Sequence, residues 1–232
     1  MKAFDVLKSF YTQRKVNDAK IYWQNLTIPA RNAHIIYEKV MQFRDPQSLS
    51  SVLEFGCASG GNLKYFMDRI PAINTVGIEV NECVLSLAEK YPTFRGIVGD
   101  EQNLRQFSSK NFDVAFTLSV LDHLPDESIV EWTISELIRI SNMTLLLEPF
   151  IEGIHGDVSG KTRGEVKKGL ERPDKKFARH SYVWNYDRML DKMKVPWTKK
   201  PLRLHAASLG PFYHLYVINV PSDDGKTGRT QL

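Results

Sequence analysis

The stretch 52-VLEFGCASGGN-62 sets a carboxylate, Glu54, inside an apolar run and follows it with three glycines in six positions. An apolar run of this length bounded by glycines suits a buried strand, and the glycines let the backbone turn sharply and approach a ligand closely. The helix expected next, GGNLKYFMDRI, offers unpaired amides at its start. Strand, glycine turn and helix together make a cradle for a small molecule. A carboxylate at the strand's end repels pyrophosphate and suits an ammonium or sulfonium, so a ligand that is cationic near Glu54 is expected.

The rest of the chain is compatible with such a site. Its 232 residues, 42% hydrophobic and 25% charged, can bury one large core. A net charge of +4 permits an anionic partner without demanding a long nucleic-acid surface. Cys57 and Cys83 are too few for a disulfide scaffold and lack metal or CxxC spacing, which favours a reducing compartment and leaves no metal site expected. The N-terminus MKAFDVLKSFYTQRK has no apolar h-region, and no run approaches the ~18 apolar residues of a membrane span. A cytoplasmic protein is therefore expected.

Along the chain, residues 1–50 are expected as a helical cap, with Ile35, Ile36, Val40, Met41 and Phe43 sharing a stripe before DPQSLS ends the helix. Strands and helices then alternate over 51–150. SVLEF, INTVGIEV, FRGIVG, DVAFTLSV and MTLLLEPF are expected as strands; NECVLSLAEKY, opened by Asn81, and DESIVEWTISELIRI, with Asp126 near its start, as helices. Such alternation predicts an α/β fold with a mostly parallel sheet covered by helices. Residues 151–180 are polar, basic and without sustained periodicity, as an insertion or substrate lid would be. Over 181–221, YVWNYDRMLDKM resumes helical spacing, and PLRLHAAS with FYHLYVINV is expected as a final strand pair. One domain over 1–221 with a flexible tail at 222–232 is the expected organisation.

Two further acids sit at strand ends. Glu79 closes the second strand about two dozen residues after Gly56, where an open α/β sheet places a carboxylate on ribose hydroxyls. Asp100 closes the third, where an acid can accept from an exocyclic amine or an amide. Each acid alone is more often a cap; three at successive strand ends are harder to dismiss.

With EFGCASG, GIE, GD and FDVAFTLSVLDHLPD in this order, the segment from about 50 to 150 resembles the class I S-adenosylmethionine-dependent methyltransferases. The resemblance implies a seven-stranded sheet whose last strand runs antiparallel, with helices on both faces. It also implies S-adenosyl-L-methionine as cofactor and S-adenosyl-L-homocysteine as product. By motif position the first acid, Glu54, lies near the methionine end, the loop of Gly56 and Gly60 passes beneath, Glu79 binds the ribose and Asp100 lies near adenine. Cys57, Ala58, Asn62, Val80, Glu101, Leu118 and Ser119 adjoin these motifs as further implied cofactor contacts. Ala58 departs from the glycine many members carry there. A NAD(P)-dependent oxidoreductase is the rival, since GCASGG also fits G-x-A-x-x-G with Glu79 as its acid. Glu54 in pyrophosphate's path and the long helical N-terminus count against it.

The sulfonium is already activated, so the protein must align a nucleophile and, for a hydroxyl, remove its proton. At the fourth strand's exit, LSVLDHLPD lacks both the [DNS]-PP-[YFW] sequence of aminomethylating nucleic-acid enzymes and a Pro-Cys nucleophile. It offers Asp122 and His123, the latter a residue type able to take a proton near neutral pH. Glu148 at the end of the fifth strand and His180, beside Arg179 at the return to the core, are the other catalytic candidates. Tyr182 and Trp184 could line an acceptor pocket, though aromatic residues at helical spacing are more often core. The expected acceptor is an oxygen or nitrogen of a small or glycan-linked molecule, and the basic insertion would suit an anionic one. A tRNA or protein methyltransferase is the first alternative, with nucleic acid disfavoured for want of an aromatic-interleaved binding motif. A non-catalytic cofactor-binding subunit is another, distinguished by lack of turnover.

Overall fold

The computed structural model describes residues 27–86, 91–149, 159–161, 182–203 and 212–219. The expectations for 1–26, most of the 151–180 insertion, Arg179, His180 and the 222–232 tail lie outside the described residues. Seven strands, β1 (Ser51–Phe55), β2 (Asn74–Glu79), β3 (Phe94–Val98), β4 (Phe112–Leu118), β5 (Ser141–Pro149), β6 (Trp197–Arg203) and β7 (Phe212–Ile218), form one sheet in the order β3-β2-β1-β4-β5-β7-β6. The first five pair in parallel, and β7 runs antiparallel to both β5 and β6. Among the described residues the helices are α1 (Thr27–Met41), α2 (Gly61–Met67), α3 (Glu82–Leu85), α4 (Glu127–Ile140) and α5 (Tyr186–Met193).

Central strands buried on both sides carry near-continuous apolar runs, as Leu145, Leu146 and Leu147 of β5 do. Alternation sends Leu146 to one face, with Leu53, Ala115 and Tyr216, beneath Val130, Ile134 and Leu137 of α4 and Met189 and Leu190 of α5. Leu145 and Leu147 face the other side, with Val52, Val114 and Phe116, beneath Ile36 and Val40 of α1 and Leu63 and Phe66 of α2. The expected stripe on α1 is realised at Ile36 and Val40, which are fully buried, while Ile35, Met41 and Phe43 are only partly so. Asp45 then caps a short 3-10 turn at Pro46–Ser48, accepting from the Gln47 amide at 2.9 Å.

Local capping fixes the helix starts. Asn81 accepts from the Val84 amide at 3.1 Å to open α3, and Asp126 from Ser128 at 2.8 Å to open α4. Two boundaries differ from expectation. Helix α5 starts only after Asn185, whose side chain accepts from the Arg188 amide at 3.0 Å, so Tyr182 and Trp184 precede the helix. The Tyr182 amide instead donates to the Asp122 carbonyl at 2.6 Å, and Val183 exchanges main-chain hydrogen bonds with Gly160 and Lys161. Strand β6 begins at Trp197, ahead of Pro201, because it is an edge strand on which a residue lacking an N–H is tolerated.

Since β1 lies between β2 and β4, the chain turns opposite ways on leaving β1 and on entering β4. This switch point opens a crevice at the strands' carboxyl ends, where ligands of open α/β sheets bind. Among the described residues, no helix is long and apolar enough to cross a membrane.

Candidate active site

The glycine turn is built at that crevice. Gly56 leaves β1 with φ +75°, and its amide and that of Cys57 both donate to the Ile78 carbonyl, at 2.8 and 3.1 Å. A Cβ on Gly56 would sit 2.3 Å from Val120 Cγ2, so both the φ and the space require glycine. Gly60, φ +72°, is the N-cap of α2. Ala58 adopts φ +47° in spite of its methyl group, a left-handed conformation that L-residues resist. Cys57 is buried, its sulfur filling the space where a Cβ on Gly77 would come within 2.4 Å. Burial, reinforced by Glu54 and Glu79, pushes its thiol well up, which makes it inert.

Three of the strand-end acids have distinct surroundings. Glu54 is 1% exposed and accepts from Asn62 Nδ2 at 2.6 Å, while its Oε2 is buried with no hydrogen-bond partner among the described residues. Burial raises its pKa well above the carboxylate range; Asn62 opposes the shift and Glu79 adds to it. Glu79 takes the Ala58 amide at 2.9 Å on one oxygen and the Asn81 amide at 3.0 Å on the other, stitching the glycine turn to the exit of β2, with half-buried Val80 between. Asp100 caps the 3-10 turn Glu101–Gln106 in a reciprocal arrangement: it accepts from Gln102 at 3.1 Å, and its own amide donates to Asn103 Oδ1 at 3.0 Å. Glu101 is 4% exposed. The Gly99 amide donates to the Glu79 carbonyl at 3.0 Å, joining the ends of β2 and β3.

On the other side, β4 ends at Leu118, and Ser119 turns the chain with φ +51°. The Ser119 hydroxyl and the Tyr213 phenol are 3.0 Å apart. The chain then enters a 3-10 turn at Leu121–His123. Asp122 is 3% exposed, and its Oδ1 lies 3.8 Å from His123 Nε2. Glu148, the catalytic candidate at the end of β5, is 0% exposed and lies within the wall. Its Oε1 accepts from the Thr117 hydroxyl and from the amides of Val120 and Leu121, at 3.3 and 3.4 Å. Burial and the nearby charge of Asp122 push its carboxyl up to about 8. Glu148 lies on an interior strand, pairing with His214 of β7 on one side, while its side chain is enclosed by Thr117 and the Val120–Leu121 turn.

Reading along the chain missed Thr117, Val120 and the contributions of β7. Tyr213 reaches Ser119 across 94 residues, and Tyr216 donates to Asp187 at 2.9 Å beside His214. Burial, then Lys199, lowers the His214 imidazole to about 4, leaving it neutral at physiological pH. No linear pattern marks these residues, because they meet only through strand pairing.

The site fits S-adenosylmethionine on two observations. Glycine, and not a larger residue, is required where the turn passes Val120, and a buried carboxyl oxygen of Glu54 lacks a hydrogen-bond partner among the described residues. A cationic, hydroxyl-bearing ligand suits this set of acids; pyrophosphate does not.

Comparison with known proteins points the same way. Residues 52–141 match the family described as a methyltransferase domain. No curated protein matches the chain. Among solved structures, one similar chain is the Burkholderia thailandensis 1,6-didemethyltoxoflavin-N1-methyltransferase with bound 1,6-didemethyltoxoflavin and S-adenosylhomocysteine. It shows 13% identity and a TM-score of 0.64, with 94% of this chain and 88% of that one covered. The plantazolicin methyltransferase BpumL, in complex with a pentazolic desmethylPZN analog and S-adenosylhomocysteine, shows 15% identity, a TM-score of 0.59, and coverage of 92% and 94%. An O-methyltransferase family protein from Burkholderia thailandensis shows 11% identity and a TM-score of 0.58, covering 83% of this chain and 57% of that one. Identities this low establish a shared fold.

Proposed function

We propose that this chain, whose residues 52–141 match the family described as a methyltransferase domain, is a class I S-adenosylmethionine-dependent methyltransferase that methylates an oxygen or nitrogen of a small or glycan-linked acceptor. The observation that carries this reading is the Asp122–His123 pair at the exit of β4. A buried carboxylate 3.8 Å from a partly exposed imidazole, beyond hydrogen-bond reach, sets an acid beside a candidate base that a small rotation of the ring could bring into contact. Bound in the crevice, S-adenosylmethionine supplies a methyl group already activated on sulfonium. Glu54 would meet its ammonium, the Gly56–Gly60 turn would pass beneath it, Glu79 would take the ribose hydroxyls and Asp100 with Glu101 would line the adenine side.

What remains for the chain is alignment and proton removal. For a hydroxyl acceptor His123 takes the proton as the methyl group is transferred, and Asp122 stabilises the imidazolium that results; a neutral amine needs only to be positioned. Two of the similar structures named above carry 1,6-didemethyltoxoflavin and a pentazolic desmethylPZN analog, which supports a small-molecule acceptor here.

A screen of acceptors with methyl-labelled cofactor tests the reading. Calorimetry is expected to show S-adenosylhomocysteine binding and no NADH binding; the opposite result removes the cofactor assignment. With an acceptor in hand, His123→Ala is expected to lower turnover by ~10²–10⁴-fold while S-adenosylhomocysteine affinity holds. Near-full turnover of a folded His123→Ala protein would assign the site to pure positioning of an amine.

A further inference from the structure

We propose that Glu148 is a positioning residue of the cofactor cleft: from the end of β5 its buried side chain holds the Val120–Leu121 main chain so that Val120 is braced against the glycine turn at Gly56. The 3-10 turn Leu121–His123 has no cap of its own, for Val120 at its N-cap makes no side-chain hydrogen bond. The start of such a turn leaves main-chain N–H groups without intrahelical partners, and burying them unpaired is costly. Glu148 satisfies two of them from another strand, and its Oε1 also receives the Thr117 hydroxyl. The chain between is bent by Ser119 at φ +51°, so this hydrogen-bonded anchor decides where Val120 stands. Val120 in turn occupies the space directly over Gly56, where a Cβ would lie 2.3 Å from its Cγ2. One carboxyl group thereby sets both the turn that carries His123 and the wall against which the glycine turn rests.

An acid at 0% exposure can do this because it is needed as an acceptor and not as a charge. Burial and the neighbouring Asp122 keep it protonated at neutral pH, and the carbonyl oxygen of a neutral acid accepts hydrogen bonds as an amide's does. Glutamine keeps the accepting oxygen and puts its amide nitrogen where the acid already leaves Oε2 buried without a partner among the described residues, whereas aspartate keeps the acid and loses the reach.

The test uses the full chain, S-adenosylhomocysteine titrated by calorimetry, and hydrogen exchange at the Val120 and Leu121 amides. Glu148→Gln is expected to bind within about threefold of wild type with both amides protected. Glu148→Asp and Glu148→Ala are expected to bind at least about tenfold more weakly, with both amides exchanging faster. If Glu148→Ala does not fold, the contrast between Gln and Asp decides. The inference is overturned if Glu148→Gln weakens binding as much as Glu148→Asp, or if Glu148→Asp matches wild type in both affinity and exchange. It rests on the proposed cofactor site only through its probe. Failure of wild type to bind S-adenosylhomocysteine would remove that site, while amide exchange would still decide whether Glu148 holds the turn.

Discussion

Replacing Gly56 by alanine adds one methyl group at the point where β1 gives way to the cleft. Its carbon would lie 2.3, 2.8 and 3.1 Å from Val120 Cγ2, Cγ1 and Cβ, at a φ of +75°. The left-handed backbone costs an L-residue about 1–2 kcal/mol, and forcing a methylene-sized group into packed surroundings about 1–3 kcal/mol more. The Gly56 and Cys57 amides are both fixed to the Ile78 carbonyl, so Val120 must give way first. A loss of about 2–5 kcal/mol in urea unfolding is therefore expected, with weaker S-adenosylhomocysteine binding. Combining the change with Val120→Ala separates the two costs. Truncation removes both γ carbons but leaves a Cβ 3.1 Å away, so it should recover most of the steric part and none of the backbone part. A coupling energy of about 1–3 kcal/mol is expected from the four-protein cycle. A Gly56→Ala protein within about 0.5 kcal/mol of wild type, or additive effects in the cycle, would refute the geometry described.

Ala58→Gly is expected to raise the urea midpoint by about 0.5–1 kcal/mol of stability, because relief at φ +47° exceeds the added chain entropy; a lowered midpoint would contradict it. Glu79→Ala takes the acceptor from the Ala58 and Asn81 amides, so S-adenosylhomocysteine affinity should fall by about 1–3 kcal/mol in calorimetry. An unchanged dissociation constant would show that neither the turn nor the ligand depends on Glu79. Glu148, raised from 4.5 to about 8 in the folded protein, must release its proton on unfolding at intermediate pH. Its contribution is fully present below about 4.5 and is lost as pH rises through about 8, with a slope of at most about 1.4 kcal/mol per pH unit. Buried Glu54 acts in the same direction. Melting temperature should therefore decline across that window, and Glu148→Gln should flatten the decline without removing it; a mutant with the wild-type slope would count against a protonated Glu148.

Much of the molecule is local in origin. VLEF, TVGIE and VAFTL announce buried parallel strands because both faces of each must be apolar, and Asn81 and Asp126 announce helix starts because their side chains accept from amides two or three residues on. The glycine turn and the acids at 54, 79 and 100 were legible for the same reason: in an alternating α/β chain the end of each strand falls on one edge of the sheet, so position along the sequence gives position in space. The antiparallel last strand came from the resemblance, and the pairing of β7 with β5 and β6 bears it out.

What sequence could not show depends on contacts between distant segments. Sequence makes Glu148 a candidate acid at a strand end, but it is fully buried, and Thr117 together with the Val120 and Leu121 amides, brought round by the bend at Ser119, meets its oxygen. Tyr182 and Trp184 carry helical spacing, yet the amide of Tyr182 is taken by the Asp122 carbonyl and Asn185 starts the helix later. Local sequence determined the strands, the caps and the motif acids, since those rest on interactions within a few residues. Tertiary structure alone decided which acid meets solvent and which is neutral in the wall, because desolvation and nearby charge depend on every segment that packs around a group.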